Sequence, residues 1–304
     1  MNDEARYFEL ILEKLLKTYG IDFSLYRQGT IMRRMARRMA ATGSESYEAY
    51  LSYLENHLDE YKPLFNDLTI KVSRFFRNEP LFEYLCQEIL PELVGKRPSG
   101  KTLRIWCAGC AFGEEVYSVA ICLMEYLRRE GHEIADYPIS IFGTDIDGHA
   151  LAKAREGEYG ANALRETRPE IVERYFSCME GTGFGLGEPF MPDTNRYRVI
   201  EPVRNLVCFS MHDLASKTRK SPPSGVVANY DLILCRNLLI YFTRPLQKRA
   251  FSNLVNSLNP GGYLILGKAE SIPEELEAFL VARNSLRRVY KKPGSPSSRI
   301  EPEQ

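Results

Sequence analysis

From about residue 102 onward, short apolar runs alternate with longer amphipathic segments, and this rhythm restricts the possible folds more than any other feature of the chain. Strands are predicted at 103–107, 139–143, 207–210, 230–235 and 262–267, and helices at 114–129, 148–155 and 245–258. Strands that alternate with helices form a parallel, doubly wound sheet, which binds ligands at the carboxyl ends of its strands. We therefore predict an α/β domain with its site at that edge.

The N-terminal third of the chain has a helical pattern instead. Apolar residues recur every three or four positions, and further helical segments are predicted over 64–76 and 80–93, before a linker at 95–100. The predicted organisation is a helical domain over 1–94, an α/β domain over 95–292 with a small β-subdomain inserted at 180–200, and a disordered tail over 293–304.

The charge balance, the length of the apolar runs and the number of cysteines limit the partners and the cellular compartment that we expect. Forty basic and forty acidic residues cancel, so the charge balance favours neither nucleic acid nor an anionic membrane surface as a partner. The longest apolar runs are too short to cross a bilayer, and the N-terminal MNDEARYFEL stretch has no apolar signal core. Seven cysteines, an odd number, suit a reducing compartment. We expect a cytoplasmic protein without membrane insertion.

The stretch 105–118 carries a Cys-x-x-Cys pair, Cys107 and Cys110, between a strand and a helix. Zinc would need a second pair of ligands, a redox dithiol would place its first cysteine at a helix start, and a phosphate loop would end in Gly-Lys-Ser/Thr. Here Cys107 ends a strand, and the turn ends in Gly113-Glu114-Glu115. The pattern favours none of these three sites, and no metal is predicted.

A different ligand fits the same turn. Gly109 and Gly113 allow a ligand to approach the backbone, and the two glutamates that follow can accept hydrogen bonds from an amine. Asp145 ends the second strand, where such folds use an acid to bind ribose hydroxyls. S-adenosylmethionine has an amino group, a ribose and a sulfonium and suits this set. A tight turn with solvated acids is the simpler alternative.

Five segments together resemble the CheR-type chemotaxis receptor methyltransferases, which transfer methyl groups from S-adenosylmethionine to glutamate side chains of chemoreceptors. These segments are Leu68–Arg77, Ala108–Ser118, Thr144–Asp147, Asp231–Phe242 and Pro260–Ser271. The Phe-Phe-Arg, Gly-Glu-Glu and Cys-Arg-Asn-x-x-Ile-Tyr-Phe motifs within them are highly specific. The resemblance covers about residues 10–290 and implies a Rossmann-like class I methyltransferase fold and S-adenosylhomocysteine as the product.

The resemblance also implies roles for individual residues. Arg77 would orient the substrate carboxylate, and Tyr241 would lie close to the transferable methyl group. Cofactor contacts would come from Lys71, Ser73, Arg77, Gly109, Glu115, Asp145, Asp213, Leu214, Arg236 and Asn237. Glu115 would bind the methionine amino group, with Glu114 as an alternative. Three residues depart from the family pattern: Lys71 replaces a usual Asn, Phe112 replaces a small or hydroxylated residue, and Val116 stands where Pro is common.

A predicted basic helix suggests how the substrate is recognised. Its apolar positions Met32, Met35 and Met39 are predicted to face the core. Its cationic stripe consists of Arg33, Arg34, Arg37 and Arg38. In this family the corresponding helix helps to dock the cytoplasmic helical bundle of methyl-accepting chemotaxis receptors, so the stripe is predicted to dock substrate. A solvated face is the alternative. We predict a monomer.

The expected chemistry requires positioning more than acid–base catalysis. A glutamate side chain has an intrinsic pKa of about 4.3, so the nucleophile is already ionised at neutral pH. Two alternatives stay open: a methyltransferase acting on a signalling protein other than a receptor, and a cofactor-binding scaffold without turnover, which Lys71 would favour. A nucleic-acid methyltransferase is disfavoured, because amino-methylating members carry Asn/Asp-Pro-Pro-Tyr/Phe where this chain reads Asn237-Leu-Leu-Ile-Tyr-Phe.

Overall fold

The computed structural model describes residues 3–95, 100–179, 195–216 and 229–294. Its contacts divide the chain into a helical unit, Met1–Ile70 with Leu238–Ala250, and an α/β unit, Lys71–Asn237 with Phe251–Gln304. This division falls after Ile70, whereas the sequence placed a boundary after residue 94. Most of the predicted insertion at 180–200 and nearly all of the predicted tail at 293–304 lie outside the described residues.

Four helices form the first part of the helical unit: α1 (Asp3–Tyr19), α2 (Gln28–Thr42), α3 (Tyr47–Asn56) and α4 (Tyr61–Leu68). Their apolar faces bury one core that includes Leu15, Met35 and Leu54. Met39 packs at the edge of this core, but Met32 is 43% exposed, so the prediction that it faces the core is wrong. Its neighbour Ile31 occupies the core instead, and adjacent helical residues point in different directions.

The helix predicted over 64–76 ends early. Thr69 adopts an extended backbone at the end of α4, and its hydroxyl donates to the carbonyl oxygen of Phe65 at 2.9 Å. Farther along, Phe76 and Asn78 have φ angles of 52° and 74°, which an α-helix does not allow. Residues 69–78 therefore form an irregular segment, and this segment contains three of the predicted site residues.

The segment Leu238–Ala250 packs with the N-terminal helices. The Arg27 amide donates to the Tyr241 carbonyl at 2.8 Å, and the Thr243 hydroxyl donates to the Leu25 carbonyl at 2.8 Å. The rings of Tyr26 and Phe242 meet edge to face with centroids 5.0 Å apart. The loop that follows the fourth predicted strand thus belongs, by its contacts, to the helical unit.

The α/β unit contains the predicted sheet. Its strands are β1 (Leu103–Ala108), β2 (Ile139–Asp145), β3 (Glu158–Gly160), β4 (Phe176–Met179), β5 (Arg196–Val199), β6 (Val207–Met211), β7 (Tyr230–Cys235), β8 (Leu258–Leu266), β9 (Val281–Asn284) and β10 (Val289–Lys291). The main sheet has the order β6-β2-β1-β7-β8-β10-β9. β10 pairs antiparallel with both neighbours, and the first five strands in this order are parallel. The strand order reverses between β1 and β7, which predicts a ligand crevice there.

Seven further α-helices lie in the described residues: α5 (Glu79–Tyr84), α6 (Leu90–Gly95), α7 (Glu114–Arg129), α8 (Gly148–Glu156), α9 (Pro169–Tyr175), α10 (Glu201–Arg204) and α11 (Arg244–Ser257). The residues of α11 up to Ala250 belong to the helical unit. The prediction for α7 is confirmed at both ends. A π-helical turn, Leu85–Ile89, joins α5 to α6 within the helix predicted at 80–93. No described helix is both long and apolar enough to cross a membrane.

A second, three-stranded antiparallel sheet has the order β3-β5-β4. Only β5 falls within the predicted insertion, and β3 and β4 precede it. The small sheet packs into the main core through Tyr159, Phe176 and Tyr197. It is therefore built from a longer stretch of chain than the Gly- and Pro-rich composition indicated.

Candidate functional site

The turn between β1 and α7 is tied to the end of β2. The amides of Gly109 and Cys110 both donate to the Thr144 carbonyl, at 2.8 and 2.9 Å, and the Ala111 amide donates to Asp145 Oδ2 at 2.9 Å. Gly109 has a φ of 71°, in the left-handed region that favours glycine. These bonds hold the turn open at the carboxyl edge of the sheet, where the sequence predicted a ligand.

The other residues of the turn serve packing. A Cβ atom on Gly113 would lie 2.9 Å from both Ala154 and Phe209, so glycine allows α7 to approach α8 and β6 closely. Cys107 and Cys110 are buried, and burial is the main cause that raises their pKa values. Phe112, the departure noted in the sequence, packs against the main core.

The Asp145 side chain accepts a hydrogen bond from the turn and also lies at the end of β2, where the ligand is expected. Its Oδ1 accepts from the Asp147 amide at 3.0 Å, while Oδ2 holds Ala111. Burial raises the pKa of Asp145 above its ordinary value, and the two amides counteract this effect. The carboxylate keeps further lone pairs, because each oxygen can accept more than one hydrogen bond.

Lys71 forms an ion pair with Asp147, and both side chains are largely buried. Burial acts to raise the pKa of Asp147, but the Lys71 ammonium and the amides of His149 and Ala150 hold this pKa below its ordinary value. The positive charge of Lys71, which replaces the family's usual Asn, is therefore neutralised by a neighbouring acid.

The two glutamates at the start of α7 have different environments. Glu115 pairs with Arg236 at 2.6 Å. Glu114 is 4% exposed, and burial is the main cause that raises its pKa to about 7. The Ser73 side chain hydrogen-bonds to the Glu114 carboxylate, but Glu114 Oε2 has no hydrogen-bond partner among the described residues. A buried carboxylate oxygen without a partner is costly, so this atom is the better candidate to receive an amine.

Arg236 connects three parts of the site. Its Nη1 donates to Glu115, its Nη2 donates to the Arg77 carbonyl at 2.9 Å, and its guanidinium carbon lies 5.7 Å from the centre of the Phe82 ring. The side chain is nearly fully buried, and its Nε has no partner among the described residues. Arg236 thus holds the irregular segment that contains Arg77 beside the start of α7.

Ser118 holds the same segment from α7. Its hydroxyl donates to the Glu114 carbonyl at 2.7 Å and accepts from the Phe76 amide at 3.0 Å. Phe75 is fully buried beside Tyr159 and Phe176, which anchors the segment from its other side. In the sequence, nothing indicated this role for Ser118 except that it ends the Ala108–Ser118 segment.

Glu270 supports the backbone at Asn237, a predicted site residue, although no local pattern indicated this contact. Its Oε2 accepts from the amides of Asn237, at 3.0 Å, and Gly267, at 2.6 Å, and so ties together the ends of β7 and β8. Asn237 has a φ of 60° and needs such support. Glu270 lies in the quoted Pro260–Ser271 motif, but only the fold brings it to Asn237.

The loop after β6 carries Asp213 and Leu214. The neighbouring His212 amide donates to the Asp145 carbonyl at 3.0 Å, and Asn253 Nδ2 donates to the Leu214 carbonyl at 2.8 Å. The Asp213 Oδ1 accepts from the Ala215 amide at 2.9 Å. The loop therefore begins at the same edge of the sheet as Asp145.

The remaining predicted residues belong to the helical unit. Tyr241 contacts Arg27 there through its backbone. The arginine stripe is largely occupied by internal contacts: Arg34 donates to the Asp67 carbonyl at 2.7 Å, Arg37 pairs with Asp67, and Arg38 pairs with Glu60 at 2.7 Å. Only Arg33 of the four is both exposed and without an ion pair among the described residues.

The crowding around Gly267 gives a direct test of the support beneath Asn237. A Cβ atom there would lie 2.7 Å from Glu270 Oε2 and 2.8 Å from the Asn237 amide nitrogen. We expect Gly267→Ala to destabilise the protein by about 1–3 kcal/mol in urea titrations, because this contact forces the backbone to move. The control is Gly148→Ala, where nothing lies within 4 Å and no loss is expected. Equal stability of both variants would contradict the described contact.

These residues fit an adenosyl ligand that bears an amino acid. Two buried polar atoms have no hydrogen-bond partner in the described part of the chain: Glu114 Oε2, at the start of α7, and Arg236 Nε, just after β7. Asp145 ends β2. Together with the strand order, the glycine turn and the acids define a class I S-adenosylmethionine-dependent methyltransferase fold.

Comparison with known proteins specifies the family. Residues 71–286 match the family model described as CheR methyltransferase, SAM binding domain, and residues 6–69 match CheR methyltransferase, all-alpha domain. The chain therefore belongs to the CheR methyltransferase family.

Similar proteins include chemotaxis protein methyltransferase 2 of Vibrio cholerae, 30% identical over 90% of this chain and 88% of the relative. Chemotaxis protein methyltransferase 2 of Pseudomonas aeruginosa is 31% identical over 89% of each chain. An uncharacterised 104.1 kDa protein of Rhodobacter capsulatus is 30% identical over 89% of this chain, which spans only 26% of that relative.

Proposed function

We propose that this chain is a protein-glutamate O-methyltransferase that esterifies the γ-carboxylate of glutamates in the cytoplasmic helical domains of chemoreceptors. Its relatives of similar length are chemotaxis protein methyltransferases by name. The observation that carries the proposal is Arg77, whose backbone carbonyl accepts from Arg236, the partner of Glu115 at the start of α7. A substrate carboxylate needs such a cation, and it needs no general base.

The guanidinium of Arg77 is available for this role. Its Nη1 donates to the Val72 carbonyl at 3.0 Å, which folds the side chain back over its own segment. Its other N–H groups have no protein partner within the described part of the chain, and Arg side chains can bind a carboxylate through two N–H groups. Arg77 therefore supports the substrate carboxylate in a fixed orientation, which is the main contribution expected in a displacement reaction.

The chain's own residues would hold the cofactor as follows. Glu114 receives the amino group, Asp145 accepts from the ribose hydroxyls, and the turn at Gly109 admits the ligand. S-adenosylmethionine supplies an electrophilic methyl group on a sulfonium when bound. Asp147 neutralises Lys71, which removes the main support for a scaffold without turnover.

The test is transfer of labelled methyl groups to chemoreceptor-rich membranes. We expect counts in receptor protein that are released as methanol by mild base, and mass spectrometry should place the esters on glutamates. Receptors with those glutamates changed to alanine are the control. Base-stable counts, counts in RNA or DNA, or transfer to a soluble protein alone would each contradict the proposal. Tight cofactor binding without transfer to any substrate would indicate the scaffold.

Arg77→Ala should separate chemistry from cofactor binding. We expect kcat to fall by roughly 10²–10³-fold, because the substrate carboxylate loses its orienting cation, while calorimetry shows little change in the Kd for S-adenosylhomocysteine. Arg74→Ala on the same segment is the control, since Arg74 forms a partly exposed pair with Glu166. An equal loss of affinity and turnover in Arg77→Ala would make Arg77 a cofactor ligand instead.

Within the arginine stripe, Arg33 is our candidate for substrate docking, because it is exposed and has no ion pair among the described residues. Arg33→Glu should raise the KM for receptor several-fold without changing the Tm, because Arg33 is exposed and the described residues form no ion pair with it. Arg6→Glu on α1 is the matched charge reversal and should leave KM unchanged. An unchanged KM in Arg33→Glu would make the stripe a solvated face.

Arg38→Ala should instead destabilise the protein. Glu60 is 7% exposed, and among the described residues it would keep only Tyr50, a neutral partner.

A further inference from the structure

A cavity of about 180 Å³ lies in the α/β unit, between the α5–α6 region and α7. Phe76, Phe82 and Ile171 form part of its apolar lining, and Arg129 and Arg168 contribute positive charge. Two cysteines, Cys86 and Cys122, also line it. The proposed methyl transfer makes no use of this cavity, and neither cysteine belongs to the Cys-x-x-Cys pair of the glycine turn.

The two thiols are in contact. Cys86 lies on the π-helical turn Leu85–Ile89, and Cys122 lies on α7. Cys86 Sγ donates to the Cys122 carbonyl at 3.9 Å, and the two side chains hydrogen-bond to each other. π-helical turns are rare and occur frequently at functional sites. The wider turn here places Cys86 against a residue that is 36 positions away in the sequence.

The exposure of the two sulfurs differs in a way that suits a redox pair. Cys86 is half-buried and lines the open cavity, whereas Cys122 is 4% exposed. A small oxidant can therefore reach Cys86 first, and the buried thiol is in position to resolve the product. Arg129 and Arg168 line the cavity together with Glu79, Glu83 and Glu166, so its charged lining includes both signs.

We infer that Cys86 and Cys122 form a peroxide-sensitive dithiol that closes to a disulfide and weakens cofactor binding. The Cys86 thiolate attacks hydrogen peroxide, breaks the O–O bond and becomes a sulfenic acid, with release of hydroxide. The Cys122 sulfur then displaces hydroxide from this group, which leaves as water after taking up the Cys122 proton. The two thiols lose two electrons and two protons, and peroxide is reduced to two molecules of water.

The position of the pair explains the expected effect on the cofactor. Cys122 lies one turn beyond Ser118, which binds both Glu114 and Phe76. Phe76 also lines the cavity and precedes Arg77. Bond formation requires the sulfurs to approach from contact distance to about 2.05 Å, so the π-helical turn must move toward α7. This part of the inference rests on the proposed cofactor site, whereas formation of the disulfide does not.

The test uses the full chain, reduced and then treated with hydrogen peroxide. After alkylation of free thiols and non-reducing digestion, we expect a peptide pair joined through Cys86 and Cys122. Cys86→Ser should abolish it, and Cys122→Ser should leave a sulfenic acid on Cys86 that dimedone traps. The controls Cys178→Ser and Cys208→Ser remove exposed cysteines and should preserve the crosslink. Cys86 that remains alkylatable after peroxide, or a crosslink through other cysteines, would overturn the inference.

Calorimetry with S-adenosylhomocysteine tests the link to the site. We expect the oxidised protein to bind several-fold more weakly, dithiothreitol to restore affinity, and Cys86→Ser to bind equally well before and after peroxide. Affinity that is unchanged in a fully crosslinked sample would overturn the switch. If the reduced protein does not bind S-adenosylhomocysteine, the proposed function fails instead, and the peptide map still decides whether the dithiol exists.

Discussion

Glu114→Gln should make the ligand-free protein more stable at pH 8 by about 1–3 kcal/mol and leave its stability at pH 5 nearly unchanged. The folded pKa of Glu114, about 7, lies above the ordinary value of 4.5. Between these two values the folded state keeps the proton and the unfolded state has lost it, so stability falls as the pH rises from about 4.5 to about 7. Glutamine has the same shape and never acquires the charge, so the variant avoids this loss. Urea titrations at the two pH values measure the difference.

The same substitution should weaken binding of S-adenosylhomocysteine by about 10–100-fold, the loss expected for a hydrogen bond between charged groups. Wild-type affinity should rise between pH 6 and pH 8, because only the ionised Glu114 attracts an ammonium group, and this rise should disappear in Glu114→Gln. Glu130→Gln, at an exposed helix end, is the control. The contrary outcome is that Glu115→Gln, and not Glu114→Gln, removes the binding of S-adenosylhomocysteine and the dependence of this affinity on pH. The prediction from the sequence, that Glu115 binds the amino group, would then be correct.

Arg236→Ala should lower the free energy of unfolding by about 3–5 kcal/mol, the largest loss that we expect from a single change. The substitution leaves Glu115 without its partner and the Arg77 carbonyl without its donor. Arg236→Lys should recover only part of the loss, because one ammonium cannot reproduce the planar contacts to both groups. Denaturant titrations of the full chain measure both variants.

A surface arginine provides the comparison. Arg196 is 58% exposed and pairs with Glu158 at 3.4 Å, so Arg196→Ala should change stability by less than about 1 kcal/mol. A loss below about 1 kcal/mol in Arg236→Ala would show that the pair behaves like a surface contact.

Replacing Glu115 by leucine and Arg236 by methionine in the same protein should restore much of the stability, since the buried charges are removed as a pair. It should not restore cofactor binding.

Local patterns predicted the repeating elements well. The strands before and after α7, and α7 itself, follow from apolar runs and their spacing, because hydrophobic periodicity depends on nearby residues. The helix over 64–76 failed, because its apolar residues reflect burial on two different surfaces. Leu68 packs in the helical core and Phe75 in the α/β core, with an irregular backbone between them.

The arginine stripe shows the same limit. Spacing placed four cations on one helix, but it could not show that Asp67 and Glu60 had already neutralised two of them. Tyr241 shows the same limit. The sequence motif identified the residue, whereas only its contacts in the structure assign it to the helical unit. Ion-pair partners and domain membership depend on residues far apart in the chain, so a local pattern contains no information about them.

By itself, the sequence determined the α/β alternation, the glycine turn, the acids that flank it and the family, since each depends on residue types at short spacing. Only the tertiary structure decided what each polar group faces. Glu114 and Glu115 are neighbours with the same chemistry. Glu115 pairs with Arg236, whereas Glu114 has a buried oxygen for which the described residues provide no partner. Adjacent positions on a helix point about 100° apart, and the surroundings at each angle come from β7 and from the Lys71–Asn78 segment. Long-range packing therefore set the charges of the site.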